Sequence, residues 1–261
     1  MINQNLKFLK EFFLNLFFPK QCLGCHKEGE YLCQDCRALL EISDSQYCLC
    51  QKPKKVMSSG KCPSCKSKNL SGLYFALSYQ NPLAKKLIHL YKYPPYLKAL
   101  AKDLAFLIIT HFQLLEKPES QIWQGKILIP VPLTERRKKK RGFNQAEEIA
   151  KELSLFLNPV RDSGNNESLQ KENISNGVNI PLFSNCLIKT KQTLAQVELS
   201  EKERSQNVKE AFFVKNKQLI KGQEILLVDD VYTTGSTMEE AAKVLKGGGA
   251  KRVWGVVVAR G

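Results

Sequence analysis

Apolar and polar positions follow two different periods along this chain, and the changes of period mark its elements. Residues 72–79, 185–190, 211–214, 224–229 and 252–258 are short runs rich in branched and aromatic side chains, which predicts strands. Residues 126–132 predict a buried strand that Pro130 and Pro132 bring to an end, because proline cannot continue a hydrogen-bonded ladder. Residues 82–90, 96–115 and 144–155 read as helices, with a break at Tyr93-Pro94-Pro95 between the first two. Another helix begins near Ser236, and Gly247, Gly248 and Gly249 end it, as glycine does at a helix C-terminus. Strands alternating with helices predict an α/β fold: a mostly parallel sheet flanked by helices on both faces. Residues 161–179, rich in Asn, Ser, Gly, Lys and Glu, read as a surface insertion. The apolar positions of residues 6–18 fit one face of a short amphipathic helix. Lys10 and Glu11 interrupt that run and no small-residue cleavage site follows, so it does not read as a signal peptide. No apolar run reaches the ~18–20 residues of a membrane span, and no integral membrane segment is expected.

The sharpest chemical signal lies at the end of one predicted strand. Ile225, Leu226, Leu227 and Val228 lead into Asp229 and Asp230, and then into a turn containing Thr233, Thr234, Gly235, Ser236 and Thr237. A strand that enters a helix through small hydroxylated residues makes a phosphate cradle, since free backbone N–H groups and the helix dipole favour an anion there. Two carboxylates beside that cradle would repel a phosphate unless they hold hydroxyls or a metal. A sugar phosphate with a vicinal diol and bound Mg²⁺ meets both conditions. Ligands of open α/β sheets bind at the carboxyl ends of the strands, which is where the two acids fall.

Cysteine usage adds a second chemistry. Eight of the nine cysteines lie between residues 22 and 65, as Cys22-x2-Cys25, Cys33-x2-Cys36, Cys48-x-Cys50 and Cys62-x2-Cys65. Such pairs form knuckles whose thiolates converge on one metal, and four thiolates make a closed structural zinc site. A disulfide framework belongs to secreted chains, so two zinc ions are the preferred reading. Pairing in sequence order and pairing of alternate knuckles both remain open, and His26 is an alternative ligand beside Cys25. The segment has few large apolar residues, so metal is expected to replace a hydrophobic core there. Cys186 reads as a buried thiol. With 261 residues, 43% of them apolar, the chain suits a medium domain plus a smaller one. The expected division is an amphipathic helix at 1–19, a zinc-binding domain at 20–70 and an α/β domain at 71–261.

Charge narrows the partners. The formal net charge is +15, from 40 Lys and Arg against 25 Asp and Glu, which implies an anionic partner. Residues 136–141 are six consecutive basic residues, read as a loop after the 126–132 strand, and the run as a whole is an anion-binding candidate. Further lysines crowd the second half of the cysteine region, and basic flanks on zinc knuckles commonly meet a nucleic-acid backbone.

The 225–237 stretch closely resembles the phosphoribosyl-pyrophosphate (PRPP) motif of type I phosphoribosyltransferases. Pro130-Val131-Pro132-Leu133, Arg136-Arg137 and residues Arg141 to Ala146 resemble the competence protein F (ComF) family, phosphoribosyltransferase-like proteins with an N-terminal double zinc ribbon. So do Thr193-x2-Gln196, Arg204-x2-Asn207-Val208, the cysteine pairs and the His89-to-Tyr93 region. The chain departs from that pattern at Cys48-x-Cys50, in the 161–179 insertion, and at Lys189 and Lys191, where arginine is expected. The resemblance implies that Asp229 and Asp230 bind the ribose hydroxyls and that residues 233–237 bind the 5′-phosphate. It implies that Arg136, Arg137 and Arg141 face pyrophosphate, and that residues 191–204, with Lys191, Gln196 and Arg204, form a flexible loop over the site. It also implies a cytoplasmic role in natural transformation and DNA use, with single-stranded DNA and the DNA-uptake machinery as partners. Two functional classes follow. One is a transferase that displaces pyrophosphate from PRPP with Mg²⁺; the other is a non-catalytic DNA-handling protein that uses the pocket for regulation.

Overall fold

The fold is described from a computed structural model, which covers residues 19–56, 60–115, 117, 122–158, 180–190 and 211–261. The helix expected before residue 19, the 161–179 insertion and the 191–204 loop, with Lys191, Gln196 and Arg204, lie outside the described residues.

A four-stranded parallel sheet forms the centre, built from β1 (Gly72–Ser78), β2 (Lys126–Pro130), β5 (Glu224–Tyr232) and β6 (Arg252–Arg260) in the order β1-β6-β5-β2. Two short strands, β3 (Leu187–Lys189) and β4 (Phe212–Val214), pair antiparallel as a separate ribbon. The helices are α1 (Gln34–Ala38), α2 (Pro82–Lys92), α3 (Leu100–Leu114), α4 (Glu135–Arg141), α5 (Gln145–Leu157) and α6 (Ser236–Gly247). Local chemistry sets several boundaries. Asn81 accepts from the Leu83 and Ala84 N–H groups at 2.9 and 3.0 Å, and Pro82 opens α2 where its missing N–H costs nothing. Asn144 caps α5 in the same way, accepting from Ala146 N at 3.2 Å.

The central strands are buried on both faces, as a covered parallel sheet requires. Their alternation sorts the core into two layers. Tyr74, Leu128, Leu226, Val228, Val256 and Val258 face α2, α3 and α5. Leu73, Ile127, Ile129, Ile225, Leu227, Val253 and Val257 face α6 and the β3–β4 ribbon.

Two expectations change. Residues 136–141 are not a loop: they form most of α4. Arginine and lysine are good helix formers, and the last-turn cations lie at the negative end of the helix dipole. Gly142, at φ 81°, stops the helix in a left-handed conformation. The cysteine region also does not replace a core with metal alone. Leu32 and Leu40 join the first layer, and Leu49 and Leu70 join the second, all of them buried.

Candidate functional site

The carboxyl ends of β2 and β5 open into a cleft of about 730 Å³. One wall is the turn from β5 into α6. Gly235 sits there at φ 79°, and a Cβ added to it would lie 2.2 Å from the Tyr232 hydroxyl, so the turn needs glycine twice over. The Thr234 and Ser236 hydroxyls lie 3.1 Å apart, and all five residues from Thr233 to Thr237 line the cleft at the α6 N-terminus. Asp229 and Asp230, near the end of β5, line the same space. The two make different contacts there. Asp230, 4% exposed, pairs with Lys92 Nζ at 2.9 Å, at the end of α2. Asp229 accepts from the Asp230 N–H at 2.9 Å. Burial first, and then the Asp230 charge, push the Asp229 carboxyl up to about 7 despite nearby Lys92. On the other side, burial and the Arg137 charge bring Lys189 down to about 8, with Asp229 opposing them.

The opposite wall is α4. Arg136, Arg137, Lys140 and Arg141 line the cleft from it, so the three arginines chosen from sequence stand across from the turn. Arg141 Nη1 donates to Gln145 Oε1 at 2.9 Å. That contact fixes the amide's orientation and leaves Gln145 Nε2 without a hydrogen-bond partner, although the residue is 2% exposed. A third wall is aromatic. His89 and Tyr93 rings lie 4.9 Å apart at the end of α2, the Arg141 guanidinium lies 5.9 Å from the Tyr93 ring, and Tyr96 completes the surface. Sequence reasoning gave no role to Lys92, Tyr93 or Gln145, and marked Lys189 only as a lysine where arginine is expected. Each sits in a segment that drew attention for other reasons, and only tertiary packing brings them to the acidic pair.

The eight cysteines pair in sequence order. Cys22, Cys25, Cys33 and Cys36 form one cluster, and Cys48, Cys50, Cys62 and Cys65 form another, the sulfurs within each lying within 4.8 Å of one another. Sulfur separations of 3.6 Å (Cys25–Cys33), 3.4 Å (Cys50–Cys62) and 3.7 Å (Cys62–Cys65) approach the edge of a tetrahedron with Zn–S bonds of about 2.3 Å. Cys48-x-Cys50 therefore converges despite its short gap, and His26 belongs to neither cluster. Backbone N–H groups aim at sulfur, from Cys33 to Cys22 at 3.4 Å and from Lys54 to Cys48 at 3.2 Å. The Cys50 thiol and the Cys65 N–H bring Cys62 down to about 6 against the opposing effect of burial. The Cys62 contact, followed by burial, pushes Cys50 up to about 12. Four converging sulfurs in each cluster supply the closed tetrahedral donor set of a structural zinc ion, so both sets fit that metal. Cys186 is buried apart from both clusters, its thiol 3.7 Å from Asn216 O.

Residues 139–261 match the phosphoribosyl transferase domain family, and the acidic pair and the turn at the carboxyl end of β5 lie within that match. Among curated proteins, the chain is 34% identical over 143 residues to competence protein F of Haemophilus influenzae, covering 54% of this chain and 53% of that protein. It is 33% identical over 129 residues to DNA utilization protein YhgH of Escherichia coli K12, covering 49% and 47%. It is 26% identical over 227 residues to competence protein ComFC of Bacillus subtilis, covering 84% and 79%. The matches to the first two relatives thus span about half of their length. The chain is a homologue of these ComF, ComFC and YhgH proteins, with a phosphoribosyl transferase domain and two four-cysteine clusters suited to a double zinc ribbon. Among the described residues, no helix is long and apolar enough to cross a membrane.

Proposed function

We propose that the cleft binds PRPP with Mg²⁺ and transfers its phosphoribosyl group to an acceptor, in the handling or use of incoming DNA in the cytoplasm. One observation carries this reading: Asp229, Asp230 and residues 233–237 line one cleft with Arg136, Arg137 and Arg141 opposite them. In the proposed complex the turn holds the 5′-phosphate, the two carboxylates accept hydrogen bonds from the ribose hydroxyls, and α4 holds the pyrophosphate. Pyrophosphate leaves the anomeric carbon as an acceptor arrives, through an oxocarbenium-like transition state. The residues contribute by holding both ends of the ligand in line, which makes the step effectively unimolecular. Mg²⁺ supplies charge neutralisation for the departing pyrophosphate when bound. Lys189 adds a cation beside Arg137. The aromatic wall of His89, Tyr93 and Tyr96 is the face left for the acceptor. In the same reading, residues 20–70 carry two structural zinc ions and residues 71–261 carry the transferase chemistry.

The names of the relatives support the DNA context, and the exposed Lys138, Lys139 and Lys140 favour a second role in holding a single strand at the cleft's rim. That reading covers a protein that binds PRPP without turnover. Calorimetric titration of the zinc-loaded chain with PRPP and Mg²⁺ tests the site, with micromolar binding expected. Asp229→Asn together with Asp230→Asn should abolish that binding and spare binding of a labelled single-stranded oligonucleotide. A double variant that still binds PRPP as the wild type does removes the carboxylates from the site.

A further inference from the structure

The turn that forms the phosphate wall is thin. Tyr232, Thr233 and Thr234 line the main cleft on one side and, on the other, a second cavity of about 270 Å³ whose far wall includes Leu49 and Cys50. A loop between two cavities has little packed core to hold it, so its position depends on the few groups that reach it. Those groups lead to the second cysteine cluster. Arg260, buried at the end of β6, donates from Nη1 to Cys48 O at 2.7 Å and from Nη2 to Cys50 O. Its guanidinium also lies 5.5 Å from the centre of the Tyr232 ring. Lys68 Nζ donates to Leu49 O at 2.7 Å and to the Tyr232 hydroxyl at 3.4 Å. That hydroxyl is the atom a Cβ on Gly235 would strike. Glu239, in the first turn of α6, accepts from the Asn69 N–H at 2.7 Å and the Leu70 N–H at 3.4 Å.

We infer that the second cysteine cluster positions the phosphate turn, with Arg260, Tyr232 and Lys68 as the positioning residues between them. The carbonyls of Cys48 and Cys50 are ordered by the knuckle that a bound metal closes. Arg260 reads their position and sets the Tyr232 ring, and the ring in turn supports Gly235. The inference rests on the reading of the cleft as a PRPP site.

The test uses the full-length, zinc-loaded chain and calorimetric titration with two separate probes, ribose 5-phosphate for the turn and inorganic pyrophosphate for the α4 wall. Arg260→Met should weaken ribose 5-phosphate tenfold or more, keep pyrophosphate affinity within twofold and retain the wild-type zinc content. Arg260→Lys should recover part of the loss, because it restores one donor to the carbonyls. Lys68→Met, at a half-exposed position, should weaken ribose 5-phosphate about threefold and serves if Arg260→Met does not fold. Wild-type affinity for ribose 5-phosphate in Lys68→Met and in folded Arg260→Met overturns the inference, as does equal loss of both probes. A wild-type chain that binds pyrophosphate but no ribose 5-phosphate instead overturns the assignment of the turn itself.

Discussion

The first cysteine cluster packs on the sheet face covered by α2, α3 and α5, whereas the second packs on the face covered by α6 and the β3–β4 ribbon. Their ligand chemistry is the same, but their surroundings differ. Around the first, Arg37 of α1 pairs with Asp103 at 3.2 Å and lies 4.6 Å from the Phe106 ring, while Lys86 of α2 donates to Leu23 O at 2.7 Å. Those contacts tie the knuckles to helices behind the sheet. Around the second, Arg260, Lys68 and Glu239 tie the knuckles to the turn at the sheet's carboxyl edge. Two similar modules inserted before one sheet can thus serve different ends, because the alternation of strand residues gives each module a different face.

The largest expected effect tests whether either module is separable. Structural zinc contributes roughly 10–16 kcal/mol in isolated finger peptides. Here Leu32, Leu40, Leu49 and Leu70 belong to the core layers, so a strong chelator should lower the melting temperature of the whole chain in one transition. Scanning calorimetry that shows two transitions, the upper one unmoved, would mean that the cysteine region unfolds alone. A smaller effect separates the clusters. Leu32→Ala and Leu49→Ala each remove a side chain that is at most 1% exposed, and each should cost about 2–5 kcal/mol in denaturant titrations. Only Leu49→Ala should also weaken ribose 5-phosphate, since Leu49 lines the cavity behind the turn. Equal binding losses in the two variants would erase the distinction between the faces.

The smallest effect is that of pH, and it distinguishes the cleft from both clusters. The Asp229 carboxyl, raised to about 7, gains a proton below that pH and becomes a poorer acceptor for ribose hydroxyls. The Lys189 ammonium, lowered to about 8, loses its charge above that pH and holds pyrophosphate less well. Ribose 5-phosphate affinity should therefore fall below pH 7, and pyrophosphate affinity should fall above pH 8 by at most about tenfold per unit. Titrations at pH 6 to 9 in which Lys189→Met keeps the alkaline fall in pyrophosphate affinity would assign it to another group.

Much of this arrangement was legible in the sequence. The hydrophobic runs gave the strands and helices to within a few residues, because buried parallel strands and amphipathic helices differ in period. The acidic pair followed by Thr-Thr-Gly-Ser-Thr pointed to its turn because each residue type there has a separate steric or polar reason. The cysteine knuckles marked two clusters, yet spacing could not choose between sequential and alternate pairing, since both bring four sulfurs together. The helix at 135–141 was missed because charge drew attention away from helix propensity. Lys92 and Lys189 were out of reach for a different reason. They lie 138 and 40 positions from Asp230 and Asp229 in the chain (230 − 92 and 229 − 189), and only the packing of α2 and the β3–β4 ribbon against the central sheet brings them there.

The Lys92–Asp230 pair carries a consequence for how β5 can vary. A strand that lost or gained one residue before the pair would break the Lys92–Asp230 contact and move both core layers to the wrong face. Two like residues side by side look interchangeable, but Asp230, the more buried of the two, is the one that pairs with Lys92. The length of β5 is therefore as much a part of the site as its two carboxylates, and substitutions should be accepted there far more readily than single-residue insertions.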